Sequence, residues 1–348
     1  MERVLFLVGG LGNGGAERVA LTLADGLWDK GYLVDVFYFR EDKKIYGSKC
    51  PVKLIKKGGP ISTVIYLRKC IKQISPDIVI AFEYHTAVKC VLSSCFQKRT
   101  YKLIASERND PGSLKENKLF MWDILRRYAY GKCNCVVFQT QDAKAYFPAK
   151  IQKHSAVILN PVSGQVPQWR IGKSESSVIA FCRLERQKNI PLLLDAFQQV
   201  LKDFPQYRLH IYGNGSMEED IRRDIAKRGM QQSVDLLPFD KDIHNIAVRS
   251  RLYVSSSDYE GMSNSMLEAM AMGMPVVCTD CPIGGARMVI EDHENGILVP
   301  VKNSGCLAQA MREIISDDVL AVKLGKNAGK IRQDLSLEII LQKWIALL

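Results

Sequence analysis

The chain of 348 residues reads as α/β, with two doubly wound domains, each a parallel sheet covered by helices. Three observations predict this. Short apolar runs alternate with amphipathic runs through the first half. The alternation stops in a stretch rich in Pro, Gly and Ser. It then restarts and continues toward the C-terminus.

In the first half, strands are expected at 4–8, 33–39, 78–82, 102–105 and 135–139. Helices are expected at about 15–29, 61–74, 86–97, 114–130 and 141–147. The sequence "ILNPVSGQVPQWRIGKSESS" then breaks the pattern and places a linker near 161–176. In the second half, strands are expected at 178–182, 208–212, 234–237, 252–255 and 276–278. Helices are expected at about 189–202, 217–228, 240–248, 263–272, 303–315 and 318–331. The domains accordingly divide as 1–165 and 170–333. A tail, "SLEIILQKWIALL", is amphipathic, with Ile339, Ile340, Trp344 and Leu347 expected on its packed face. Ligands of doubly wound sheets sit beyond the carboxyl ends of the strands, and two such domains make the crevice between them the default site.

Composition narrows the function classes. Hydrophobic residues make up 47% and charged residues 24%, an ordinary globular balance. The opening "VLFLVGG" is too short for a secretory leader, and no apolar run approaches membrane-spanning length. Ten scattered cysteines read as core residues of a cytoplasmic protein, and Cys278-x-x-Cys281 has no second pair at zinc spacing. Charge is divided unevenly. Residues 1–165 hold 26 Lys and Arg against 14 Asp and Glu, and the remainder hold 22 against 23. The basic first half fits an anionic partner, and a solvated basic face accounts for the same excess.

The loop "GGLGNGGAER" contains Gly10-x-Gly12-x-x-Gly15, the dinucleotide fingerprint of a Rossmann domain. A glycine loop opening a helix turns backbone N–H groups toward any anion. The dinucleotide reading also requires an acid at the end of the second strand. Here "FYFREDKK" offers Glu41 and Asp42 among basic residues, a poor match. An NAD-dependent oxidoreductase therefore stands as the alternative reading.

The second half is more specific. "SSSDYEGMSNSMLEAMAMGMPVVCTD" places Glu260 before a helix capped by Ser263, and Glu268 on that helix. Eight residues at helical rise span at most about 12 Å. That separation is too long for one acid–base pair or one metal. It suits two carboxylates gripping different hydroxyl-bearing parts of one long ligand. "AFCRLERQKN" puts Arg183 and Lys188 just after a strand, as a diphosphate clamp would require. "IYGNGS" places Gly213 and Gly215 after the next strand, in a turn of close backbone approach.

Together "GGAER", Arg-x4-Lys, "YGNG", Glu260-Gly-x6-Glu268 and "GMPVV" resemble the retaining glycosyltransferases of family 4, which have the GT-B fold. The resemblance runs over nearly the whole chain. It implies that the last helix, about 335–348, returns to the first domain, the acceptor side, while 170–333 binds a nucleotide-sugar. It further implies that Gly14 and Gly15 approach the donor, and that Arg183 and Lys188 neutralise its diphosphate. Glu268 would accept hydrogen bonds from the ribose, and Glu260 would contact the sugar. Gly261, Met262 and Ser263 would support the diphosphate through backbone groups, with Pro238 and Phe239 where the base is seated. The implied reaction is transfer of a hexose or N-acetylhexosamine, from a UDP-sugar by preference, with no metal and no cofactor. Attack would come from the front face, assisted by the leaving phosphate.

Two departures stand out. The family's usual acceptor-side His is replaced by "ASERNDP", leaving Glu107, Arg108 and Asn109, or His85 one strand earlier, as candidates. "PIGGARMVIED" carries Arg287 where the family often has Glu. Members that build bacterial surface polysaccharide act on polyprenyl-diphosphate-linked glycans. This implies peripheral association with the inner leaflet of an anionic cytoplasmic membrane, and no nucleic-acid partner. The candidate basic surfaces are Lys43, Lys44, Lys49, Lys53, Lys56 and Lys57, the helix bearing Arg68, Lys69 and Lys72, and "KLFMWDILRRYAYGK". The apolar stripes of these helices would equally serve the first domain's own core.

Overall fold

The computed structural model describes residues 2–12, 14–41, 47–56, 58–95, 98–116 and 119–348. The chain divides into two compact units, Met1–Pro161 with Leu337–Leu348, and Val162–Ser336. The first unit thus includes the C-terminal helix. The second begins before the boundary expected from sequence, because Trp169 is buried and its indole N–H donates to Ser250 O at 2.9 Å.

Unit 1 runs β1 (Arg3–Val8), α1 (Gly15–Asp29), β2 (Leu33–Tyr38), β3 (Val52–Leu54), α2 (Pro60–Ile74), β4 (Ile78–Phe82) and α3 (Tyr84–Ser93). It continues with β5 (Lys102–Ser106), α4 (Ser113–Glu116), α5 (Phe120–Tyr130), β6 (Cys135–Phe138), α6 (Gln141–Ala145), α7 (Ala149–Gln152) and β7 (Ser155–Val157). Its seven strands are parallel, in the order β3-β2-β1-β4-β5-β6-β7. A sheet covered on both faces needs strands that are apolar on both faces. β4, IVIAF, is buried at every position, and β1 at every position but its first.

Unit 2 runs β8 (Glu175–Phe181), α8 (Ile190–Val200), β9 (Arg208–Tyr212), α9 (Glu218–Lys227), β10 (Val234–Leu237), α10 (Ile243–Ala247) and β11 (Ser250–Ser255). After these come α11 (Asn264–Ala271), β12 (Val276–Asp280), β13 (Ile297–Pro300), α12 (Ser304–Ser316), α13 (Asp318–Ala328) and α14 (Ile331–Asp334). The six strands are parallel in the order β10-β9-β8-β11-β12-β13. The chain then ends with α15 (Leu337–Ile345) in unit 1. In each unit the strand order reverses beside the first strand, at β1/β4 and at β8/β11. Those two switch points are where such sheets bind ligands.

Several expectations are corrected. The single helix at 114–130 is two helices, α4 and α5. β3 and β7, of three residues each, are strands too short to announce themselves by periodicity, and β13 (Ile297–Pro300) is a further strand beyond those expected from sequence. In α15 the buried residues are Ile340, Leu341 and Trp344, and Ile339 is exposed, so the stripe is rotated by about one position.

Candidate active site

At the switch point of unit 2, three strand ends are stitched together. The loop after β8 is held to the loop after β9 by backbone bonds: Cys182 N–H to Tyr212 O at 3.0 Å and Leu184 N–H to Asn214 O at 2.9 Å. This contact explains the glycines of "YGNG". A Cβ on Gly213 would overlap the Cys182 carbonyl oxygen, and one on Gly215 that of Leu184. Asn214 Oδ1 in turn accepts from Phe239 N–H at 3.1 Å. Pro238 and Phe239 stand exposed beside it.

The β8 loop is also tied to the loop after β11. Gln187 Nε2 donates to Tyr259 O at 2.7 Å, Ser256 Oγ to Lys188 O at 2.9 Å, and Asn189 Nδ2 to Asp258 Oδ1 at 2.8 Å. Asn189 takes the left-handed conformation (φ 43°) that Asn tolerates, and caps α8 through its side chain. These ties bring together two residues 72 positions apart, Lys188 and Glu260, as an ion pair with little solvent exposure. Glu260 Oε1 also accepts from Ser257 Oγ at 3.0 Å. Burial pulls the Lys188 ammonium down. The Glu260 carboxylate outweighs this, and the net shift is upward, so Lys188 stays charged. A small recess lined by Cys182, Lys188, Tyr253, Ser255 and Ser257 opens at the pair. Burial pushes the Cys182 thiol up to about 11, which makes it an inert neighbour.

Ser263 caps α11 as expected, accepting from Met266 N–H at 3.4 Å, and Gly261 and Met262 are buried just before it. A Cβ on Gly285 would overlap the Gly261 carbonyl oxygen, so the "IGGAR" loop packs directly on this turn. Arg287 Nε donates to Asp280 Oδ1 at 2.8 Å. Glu268 is buried on α11, its Oε2 3.0 Å from His244 Nε2. His244 was not among the expected site residues, because a lone His 24 positions upstream carries no spacing signal. Arg183 is exposed. Lys188 with Glu260, and His244 with Glu268, form two separate pairs at the carboxyl end of one sheet.

At the switch point of unit 1, Gly14 caps α1 and the Glu17 side chain folds back over it, so that a Cβ on Gly14 would overlap that carboxyl group. Gly15 opens the helix. Glu17 pairs with Arg40 at 3.2 Å and complements the positive end of α1. Across the switch, Glu83 caps α3 with φ 71°, a strained value for a non-glycine residue. Its Oε2 lies 3.6 Å from His85 Nε2, and a Cβ on Gly9 would lie 2.8 Å from the former and 3.0 Å from the latter. Burial, followed by the nearby Lys89 and Arg40 cations, pushes the His85 imidazole down to about 3. The ring is therefore expected to stay neutral at working pH. Its Cε1–H resonance should be flat from pH 5 to 8, and a titration near pH 6.5 would contradict this environment.

The "SERN" candidates separate. Glu107 is buried and accepts from Arg126 Nη1 at 3.1 Å, Tyr130 Oη at 3.1 Å and Arg108 N–H at 3.2 Å. Burial raises its pKa, with Arg126 pulling the other way. This carboxylate anchors the interior of unit 1. Arg108 donates to Asn160 Oδ1 at 2.7 Å and lies over the Phe82 ring at 4.4 Å, and burial pushes its guanidinium down to about 9. Asn109 is exposed. Of the expected basic cluster, Lys43, Lys44 and Lys57 lie outside the described residues. Lys49 pairs with Asp29 at 2.7 Å, Lys53 covers the Tyr66 ring at 5.6 Å, and Lys56 is exposed. Among the described residues, no group of three or more His, Cys, Asp or Glu is placed to hold a metal ion.

Two switch points on parallel sheets of seven and six strands define a two-domain Rossmann-like architecture, and comparison with known proteins supplies the family. Glycosyltransferase Family 4 matches residues 13–164 and Glycosyl transferases group 1 matches residues 165–331. The chain belongs to this glycosyltransferase family. An uncharacterized glycosyltransferase of Haemophilus influenzae is 25% identical, with both chains covered in full. A Campylobacter jejuni relative is 24% identical over 100% of this chain and 98% of its own. It is named as an α-1,4-N-acetyl-D-galactosaminyltransferase acting on a diphospho-undecaprenol-linked glycan. Among solved structures, HepE of Anabaena, in complex with UDP and glucose, superposes with a TM-score of 0.86. It is 20% identical and covers 100% of this chain and 99% of its own, which establishes the GT-B fold.

Proposed function

We propose that the chain is a retaining glycosyltransferase that moves a hexose or N-acetylhexosamine from a nucleotide-sugar, UDP by preference, to a polyprenyl-diphosphate-linked glycan. The observation that carries this is the Lys188–Glu260 pair at the unit 2 switch point. As the donor bond breaks, negative charge gathers on the departing diphosphate. A held ammonium, the exposed Arg183 guanidinium and the N-terminus of α11 are suited to receive it. Glu260, released in part from Lys188 when the diphosphate arrives, would accept from sugar hydroxyls. Glu268, oriented by His244, would accept from the ribose, and Phe239 offers a face to the base. No metal enters this account, because the cations and backbone N–H groups supply the neutralising charge. Retention follows from front-face attack, with the leaving phosphate taking the acceptor proton. The Campylobacter relative's named acceptor supports the lipid-linked choice, and the HepE complex fits the choice of UDP. Glu107 is bonded to Arg126 and Tyr130, and Arg108 to Asn160 beside the Phe82 ring, so of the four acceptor-side candidates this reading favours His85 and Asn109.

Thermal shift with UDP, GDP and NAD tests the donor side. UDP should raise the melting temperature and NAD should not. Glu268→Ala should weaken UDP binding by about ten- to one-hundred-fold, the range for a charge-assisted hydrogen bond. Stabilisation by NAD in place of UDP would replace this reading with the oxidoreductase one.

A further inference from the structure

Helix α5 is amphipathic in the reverse sense. Its inward face carries Asp123, Arg126, Ala129 and Tyr130. Its outward face carries Phe120, Met121, Ile124 and Tyr128, which are 59%, 74%, 67% and 52% exposed, with Leu119 and Trp122 at its margin. These positions recur at three- and four-residue spacing, so they form one stripe about 12 Å long, too short to span a bilayer. The inward face is polar because it is locked by charge. Arg126 bonds Glu107, Asp123 and Pro111 O, and Arg127 Nε donates to Asp123 Oδ2 at 2.9 Å. The apolar side has no place in the core and is left to the surface.

The stripe belongs to a wider face. α3 packs against both α2 and α5, so the three helices lie side by side. α2 contributes Ile61 and Ile65, both strongly exposed, with Lys69 and Lys72 exposed nearby, and Lys132 follows α5 with its ammonium over the Tyr128 ring at 5.7 Å. The one acidic residue within these three helices is the buried Asp123. Large apolar side chains flanked by cations, on helices that carry no exposed acid, match the interface of an anionic bilayer. They do not match a self-complementary polar surface. The face also reaches the switch point. Trp122 on α5 meets the Tyr84 ring edge-on at 6.2 Å, and Tyr84 meets His85 at 5.7 Å.

We infer that the outward stripe of α5, with Ile61 and Ile65 of α2, seats unit 1 on an anionic lipid surface and sets His85 at the edge of that contact. A lipid-linked acceptor would then reach the His85 end of the sheet along the Trp122–Tyr84 ring pair without leaving the membrane. This rests on the lipid-linked-acceptor reading, and the test below separates the two.

The full chain is sedimented with phosphatidylglycerol/phosphatidylcholine vesicles and with pure phosphatidylcholine vesicles, at low and high salt. Met121→Glu/Ile124→Glu and Ile61→Glu/Ile65→Glu variants are run beside it. Binding is expected to the anionic vesicles and to weaken with salt. It should fall at least about tenfold in the α5 variant, with the UDP-induced thermal shift unchanged in both variants. Equal binding of wild type and α5 variant, or no binding of the wild type, overturns the inference. So does a dimer in light scattering that the α5 variant dissolves, which would make a second copy the occupant. Vesicle binding with no sugar transfer to any lipid-linked acceptor would instead count against the acceptor reading and leave the docking surface standing.

Discussion

Lys188→Ala should lower sugar transfer by about 10²–10³-fold, the loss expected when one preorganised charge donor is removed from a developing anion. The expectation follows from geometry. Lys188 is held by Glu260, and its backbone carbonyl is held by Ser256 Oγ, so the ammonium needs little reorganisation to meet a diphosphate. Its raised pKa keeps it charged through the working range. The loss should fall mainly on kcat, since the charge being stabilised grows as the donor bond breaks. Lys188→Arg keeps the charge, but its planar fork cannot reproduce the compact pairing with Glu260, so it should recover activity in part. Measuring kcat and KM for both variants checks this. A rise in KM with unchanged kcat would reduce Lys188 to ground-state binding.

Arg126→Ala should cost unit 1 about 3–5 kcal/mol of stability, the range for breaking a buried ion pair from one side. Arg126 is 1% exposed and satisfies Glu107, Asp123 and the Pro111 carbonyl together. Its removal leaves Glu107 and Asp123 buried with reduced compensation. Asp123 retains Arg127, and its pKa is lowered because the bonds from Arg127 and Arg126 outweigh burial. A lowered acid contributes stability above its unfolded pKa, and that contribution is lost as pH falls through its folded pKa. The wild type should therefore lose part of the network's contribution below about pH 4, the unfolded pKa of an aspartate, and Arg126→Ala should lose less. Urea unfolding followed at several pH values reads both effects. A change under about 1 kcal/mol at neutral pH would mean that α5 is held by something other than this network.

The same network shows why part of the molecule was legible in the sequence and part was not. Strands such as β4 are apolar at every position because both faces are covered, and such runs announce themselves. The unit 2 motifs are legible because backbone contact dictates them: Gly213 and Gly215 are glycines because carbonyl oxygens occupy the space of a Cβ. The partner of Glu268 is not legible, since His244 sits on a five-residue helix with no local pattern. Nor is the orientation of α5. Its apolar spacing suits a core-facing stripe and a surface-facing one equally. The deciding partners, Glu107 and the Pro111 carbonyl, are brought to Arg126 by the tertiary fold, and they turn the apolar stripe outward. Glu83 and Gly9 were likewise invisible, because their contact crosses from one strand end to the next.

In the proposed reaction, charge on a departing nucleoside diphosphate is received at Lys188 while a sugar moves to a lipid-linked acceptor. The most direct measurement incubates the full chain with UDP- and GDP-sugars and a polyprenyl-diphosphate-linked glycan, follows the lipid product by mass spectrometry, and reads the new anomeric linkage by NMR. One sugar should be added from a UDP donor with retained configuration, in the presence of a metal chelator, and the product should be lost in Lys188→Ala. An inverted linkage, an absolute need for a divalent cation, or undiminished transfer by Lys188→Ala would contradict it.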